Sequence, residues 1–172
     1  MKRFATIGLA VLAVSLATSA SAAEPPIHVV GFSRIGTFKV HGGNPARATA
    51  AFGKPTSMLN TPNRDCVMSW PGISISFYTL AHAKQCQPDT PFGGATITRS
   101  WVTDRGLRKG DTVAKARRLY PVGSKLKAHF GGPHSIGLIV RLSQAVGDYG
   151  LAAKVLDGRV TALLISDPQG GE

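Results

Sequence analysis

The chain has 172 residues, with 20 lysines and arginines against 9 aspartates and glutamates, for a formal net charge of +11, and it carries two cysteines. A chain this long holds one domain with a modest core or two small fused units. Two isolated cysteines without C-x-x-C spacing exclude a thioredoxin-type redox motif and a zinc site.

Residues 1–22 read as a secretory signal. Lys2 and Arg3 form its basic start, residues 7–16 an apolar stretch, and Ala20-Ser21-Ala22 a small-residue cleavage site. The apolar run is shorter than the roughly 20 residues a membrane span needs. No cysteine follows it, which argues against a lipoprotein anchor. The expected mature protein is exported, secreted or periplasmic, with Lys2 and Arg3 removed and a charge of +9. In that compartment Cys66 and Cys86 are expected to form a disulfide, worth roughly 3 kcal/mol through loop closure.

The first helix is expected after Gly42-Gly43, with Asn44 as cap, Pro45 at the first helical position and Gly53 as stop. Residues 56–64 read as a polar loop. Cys66 to Trp70 then forms a strand, Pro71-Gly72 a turn, and residues 73–78 a second strand. There Ile73, Ile75 and Phe77 alternate with Ser74, Ser76 and Tyr78, the period of a half-buried strand. Residues 80–94 read as a loop that the disulfide ties back, and residues 95–102 as a third strand.

Residues 103–105 break the pattern, and Gly106-Leu107-Arg108-Lys109-Gly110 makes a tight loop. A second helix is expected next. Asp111 or Thr112 supplies its cap, Val113, Ala116, Leu119 and Tyr120 share one face, Arg117 and Arg118 occupy the last turn, and Pro121 stops it. Beyond a glycine-rich loop at 127–133, Ile136, Leu138, Val140 and Leu142 alternate as a strand. Residues 151–156 and 160–165 flank Asp157-Gly158, a strong two-residue hairpin signal, and residues 167–172 form a frayed tail. Shifting the first helix by 68 residues puts Asn44 on Thr112, Ala48 on Ala116 and Phe52 on Tyr120. The expected organisation is therefore two copies of one helix-plus-sheet unit, at 23–102 and 103–167.

The candidate sites follow from this layout. Ser74, Ser76, Tyr78, Thr96, Thr98 and Ser100 would line one hydroxyl-rich sheet face flanked by Trp70 and Arg99, suited to a protein or glycan partner. The basic residues are locally dense only at Arg105, Arg108, Lys109, Arg117, Arg118, Lys125 and Lys127. In an exported chain such a patch favours anionic lipid, wall polymer or acidic protein over nucleic acid. Pro133-His134-Ser135-Ile136-Gly137 departs from a nucleophile elbow, since proline replaces the first glycine and a strand follows. His28, His41, His82, His129 and His134 lack metal-ligand spacing. Asp104, Asp111, Asp148 and Asp157 fall at turns or caps, and His41-Gly42-Gly43-Asn44 reads as a plain loop. No catalytic residue, metal or cofactor is expected.

Residues 35–55 and the run Thr103-Asp104-Arg105-Gly106-Leu107-Arg108-Lys109-Gly110-Asp111-Thr112 through Tyr120-Pro121 carry a resemblance. A capped helix after a glycine-containing loop, then a strand meander, repeated twice, resembles the tandem-repeat β-lactamase inhibitory proteins. It also resembles their single-unit relatives, the outer-membrane assembly lipoproteins of the BamE/SmpA type. The likeness covers residues 35–167. It implies an α+β fold with helices on one face of an antiparallel sheet, the other face free to bind, and no enzyme activity. Alanines at 46–51 stand where the family has larger aliphatic residues. The function expected is binding or inhibition of an extracytoplasmic macromolecule. The alternatives are an envelope protein held to anionic lipid or wall polymer, with peripheral membrane contact, and a small hydrolase using Ser135 and His134.

Overall fold

Two β-sheets and a pair of short helices make up the computed structural model, which describes residues 24–61, 65–78, 86–121, 125–127, 137–142 and 150–166. Strands β1 (Ile27–Val30), β2 (Arg34–Ile35) and β3 (Phe38–Lys39) precede helix α1 (Pro45–Phe52). Four strands follow it: β4 (Ser57–Asn60), β5 (Cys66–Trp70), β6 (Ile73–Phe77) and β7 (Phe92–Ile97). After β8 (Trp101–Thr103) come helix α2 (Val113–Leu119) and four more strands: β9 (Lys125–Lys127), β10 (Gly137–Arg141), β11 (Gly150–Leu156) and β12 (Arg159–Ser166). The fold is α+β. The signal-like residues 1–22 and the tail 167–172 lie outside the described residues, as do His82, His129, His134, Ser135, Ile136 and Asp148.

Eight strands form one antiparallel sheet in the order β4-β5-β6-β7-β12-β11-β10-β9. A smaller sheet, β3-β2-β1-β8, contains a parallel pair in which Ile27 faces Trp101. The alternation expected for β6 is present, with Ile73, Ile75 and Phe77 buried and the serines between them half-exposed. Asp157 and Gly158 both take positive φ, 50° and 73°, as a two-residue hairpin turn with right-handed strand twist requires. Buried side chains from both sheets and both helices form a single core.

The helices sit where their termini are stitched. Asn44 Oδ1 accepts the Arg47 N–H at 2.9 Å, and the Gly43 carbonyl accepts the Phe92 N–H at 2.9 Å, tying the start of α1 to the start of β7. Thr112, of the two caps expected, caps α2 by accepting the Lys115 N–H at 3.2 Å. Gly110 N–H to Val160 O and Val160 N–H to Asp111 O then fix α2 over the β11–β12 hairpin. Ala48 on α1 and Ala116 on α2 are fully buried, with Ala51, Phe52, Val113 and Leu119 packed against the same core. The alanine run does not empty the first core, because Phe38, Phe52, Trp70 and Phe92 fill it with ring-to-ring contacts of 5.4 to 5.9 Å.

Four expectations are corrected. Residues 57–60, read as loop, form edge strand β4. Residues 92–94, read as loop, already belong to β7. The run 95–102 is not one strand: Thr98 and Arg99 both donate their N–H to the Gly72 carbonyl, at 2.8 and 3.2 Å, which bends the chain over the Pro71-Gly72 turn and delivers β8 to the other sheet. Thr103, read as part of a break, closes β8 as a buried residue. The expected boundary between 102 and 103 thus falls inside a strand.

Candidate functional site

The helices cover one face of the large sheet and leave the other uncovered by any described element. Pairing register shows what lies there. Ser57 is opposite Ser69, Ser69 opposite Ser74, Ser74 opposite Thr96, Thr96 opposite Leu164, and Leu164 opposite Ala152. Directly opposed residues in antiparallel strands share a face. The next row on that face runs Leu59, Val67, Ser76, Gly94, Ser166 and Gly150. Hydroxyls therefore cross the middle of the sheet in two adjacent rows, with small and aliphatic residues between them.

A shallow depression of about 400 Å³ is lined by Val67, Ser74, Ser76, Thr96, Leu164 and Ser166. A second, of about 220 Å³, adjoins it at Ser69, Ser74, Thr96 and Thr98. Their hydroxyls are half-buried and only lightly committed. Ser69 Oγ and Ser74 Oγ are 3.4 Å apart, Ser76 Oγ donates to the Gly94 carbonyl at 3.3 Å, and Ser166 Oγ accepts the Gly150 N–H at 3.2 Å. Each keeps hydrogen-bonding capacity to spare. Tyr78 packs its ring against Gly93, where an added methyl would lie a close 3.0 Å from the ring.

Of the residues expected on this face, Ser74, Ser76 and Thr96 come together, and Thr98 stands at the rim. Trp70 borders the second depression, but its ring is buried on the opposite side, 5.4 Å from Phe52 and with its Nε1–H donating to the Gly53 carbonyl at 2.8 Å, because the alternation of β5 sends residue 70 to the helix side. Arg99 and Ser100 belong to the bend before β8. Arg99 pairs with Glu24 at 3.0 Å, and the Ser100 carbonyl accepts the Ile27 N–H. Ser69, Leu164 and Ser166 were missed. Ser69 was legible, since it alternates with Met68 and Trp70, but Leu164 and Ser166 arrive through the β7–β12 pairing, which no local signal announces.

The basic cluster is partly spoken for. Arg105 lies 4.9 Å over the Tyr120 ring and donates to the Leu119 carbonyl, while Lys109 Nζ donates to the Thr98 carbonyl at 2.6 Å. Arg108, Arg117 and Arg118 are exposed, and Lys125 and Lys127 lie on edge strand β9. Asp111 accepts from Lys115 Nζ at 2.9 Å and from the Arg108 N–H at 2.8 Å. Burial opposes its charge, but those hydrogen bonds and the Lys115 and Arg108 charges prevail and hold its carboxyl below the usual range. Burial pushes the Tyr120 hydroxyl above its ordinary value.

Among the described residues no group of three or more His, Cys, Asp or Glu side chains could hold a metal. His28 and His41 are both exposed, the latter against Phe32. The Gly42-Gly43 loop directs its groups inward, Gly42 O accepting Arg47 Nη1 at 2.7 Å and the Gly43 N–H donating to Val40 O. Cys66 and Cys86 are bonded, with Sγ atoms 2.04 Å apart. No helix among the described residues is long and apolar enough to cross a membrane. In comparisons with known proteins no protein family matches the chain, and neither a curated protein nor a solved structure does.

Proposed function

We infer that this chain is an exported, non-enzymatic protein that binds or inhibits an extracytoplasmic macromolecule through the open face of its large sheet. The observation that carries the reading is the uncovered face with its two hydroxyl rows, on a sheet whose opposite face holds the buried core residues of β5, β6, β7, β11 and β12. Rigid strands hold hydroxyl donors and acceptors around an aliphatic floor, the composition of a surface that binds by shape and hydrogen bonds rather than by charge. Among the described residues, the partners found for the serine hydroxyls on this face are other hydroxyls or backbone groups, not a histidine or carboxylate that would activate a nucleophile. The disulfide suits an oxidising compartment.

The order of elements supports a doubled unit. Each helix precedes four strands of the large sheet, and the two sets meet at their last members, β7 against β12. A displacement of 68 residues carries α1 onto α2, β4 onto β9 and β7 into β12. The middle strands deviate from it, as loops of unequal length allow. This is the arrangement implied by the resemblance to the β-lactamase inhibitory proteins.

The test is capture by the immobilised mature chain from a native envelope or secretome extract, beside the double variant Ser74→Arg, Thr96→Arg. Capture that survives raised salt and disappears in the variant supports the open face. Inhibition of chromogenic β-lactam hydrolysis examines the narrower case directly. The second reading is attachment to anionic lipid or wall polymer through the basic cluster, favoured by the exposure of Arg108, Arg117 and Arg118. Binding to anionic vesicles that vanishes at raised salt, with no loss in the face variant, would replace the first reading with the second.

A further inference from the structure

The two outer strands of the large sheet are unlike. β9 reads Lys125-Leu126-Lys127, and lysines on an edge strand repel a second strand, a common means of keeping a sheet edge single. β4, at the other end, reads Ser57-Met58-Leu59-Asn60, with no charge, no proline and all four residues exposed. Met58 at 55% and Leu59 at 62% are two of the three exposed large hydrophobic side chains among the described residues. One side of β4 is paired with β5 over all four residues, and no described strand lies on its other side. Its partner strand is firmly held, since Cys66, opposite Asn60, is bonded to Cys86.

We propose that β4 pairs antiparallel with β4 of a second copy of this chain, giving a two-fold dimer whose large sheets are continuous. Charge selects the occupant. In a protein of net charge +11, this neutral edge can meet its own copy without setting like charges opposite each other, whereas β9 against β9 would do so. The same asymmetry closes the assembly at two, because each copy offers one open edge and the lysine-bearing edge does not propagate it into a fibre. Met58 and Leu59 lie on opposite faces of β4, so pairing covers apolar side chains on both sides of the junction. A two-fold axis perpendicular to the sheet keeps both open faces on one side, and the hydroxyl rows of one copy continue into those of the other. This inference stands on the edge strands alone and does not depend on what the open face binds.

The experiment is sedimentation equilibrium on the disulfide-intact chain. A four-residue edge buries little, so the expected Kd is on the order of 100 µM. Leu59→Lys is expected to give monomer across the range with an unchanged circular dichroism spectrum. The chain has no free cysteine, so Met58→Cys and Leu59→Cys each introduce a single thiol. At least one should be joined into a covalent dimer by a short bis-maleimide, whereas Arg117→Cys on α2 should not. A monomer mass up to about 1 mM, a dimer that persists in Leu59→Lys, or cross-linking of Arg117→Cys as efficient as that at β4 would each overturn the proposal. If Leu59→Lys fails to fold, the cross-linking pattern decides.

Discussion

Asn44 caps α1 and Thr112 caps α2 by the same contact, a side-chain oxygen accepting the N–H three residues on, yet the two helices are held to the sheet by different means. α1 ends among rings: Phe52 lies 5.9 Å from Phe38 and 5.4 Å from Trp70, whose indole N–H caps the Gly53 carbonyl. α2 ends in a polar arrangement, with Tyr120 beneath the Arg105 guanidinium and its hydroxyl 3.5 Å from Asp104, and it begins with the Asp111–Lys115 ion pair. Capping is local chemistry and sets where a helix starts. What anchors it is supplied by residues distant in sequence, so one cap pattern serves an apolar seat and an ionic one. Apolar anchoring responds to lost volume, and ionic anchoring to pH and salt.

The largest effect should come from the aromatic seat. Trp70→Ala removes a buried ring and is expected to destabilise the fold by about 3–5 kcal/mol, read from the midpoint of a denaturant titration. Trp70→Phe, which keeps a ring and loses the N–H, should fall between this variant and the parent. A loss below about 1 kcal/mol for Trp70→Ala would show that the rings do not anchor α1.

The shared feature should respond equally. Asn44→Ala and Thr112→Ala are each expected to cost about 1 kcal/mol, and a difference well beyond that would mean the caps are not equivalent. The two thermal midpoints measure it.

The smallest effects belong to the ionic seat and depend on pH. Asp111 has a lowered pKa when folded, so its contribution is present above the ordinary value of 3.8 and is lost as pH falls through the folded value. Asp111→Asn should cost under about 1 kcal/mol near neutrality and flatten the acid limb of the stability profile. Tyr120 behaves in the opposite sense. Its raised pKa makes its contribution complete below the ordinary 10.0 and lost as pH rises through the folded value. Spectrophotometric titration should place its ionisation above that of free tyrosine.

Much of the local layout was legible in the residues. Asn44, Pro45 and Gly53 bracket α1, Thr112 and Pro121 bracket α2, and Asp157-Gly158 turns the β11–β12 hairpin, because caps and tight turns are satisfied by neighbours within a few positions. The pairing of Cys66 with Cys86 followed from their number and the compartment expected from the first 22 residues. Other features were not legible. The four residues of β1 and of β4 are too few to show a period, and β4 is a strand only because β5 pairs with it. The continuous β-like run 95–102 hides a bend that exists because the Gly72 carbonyl, from another hairpin, accepts two of its N–H groups. Of the candidate face, the serines of β6 could be read from alternation, but its far half, Leu164 and Ser166, could not.

By itself the sequence determined the two helices, the Pro71-Gly72 and Asp157-Gly158 hairpin turns, the inward face of β6, and the excess of positive charge. These rest on interactions spanning a few residues or on composition. Only the tertiary structure decided that β7 and β12 meet at the centre of one eight-stranded sheet, that β8 leaves it to lie parallel to β1, that Trp70 belongs beneath α1, and that β4 ends as an uncharged open edge. Each of these depends on backbone groups far apart in the chain satisfying one another, and the pattern of a single strand does not specify its partner.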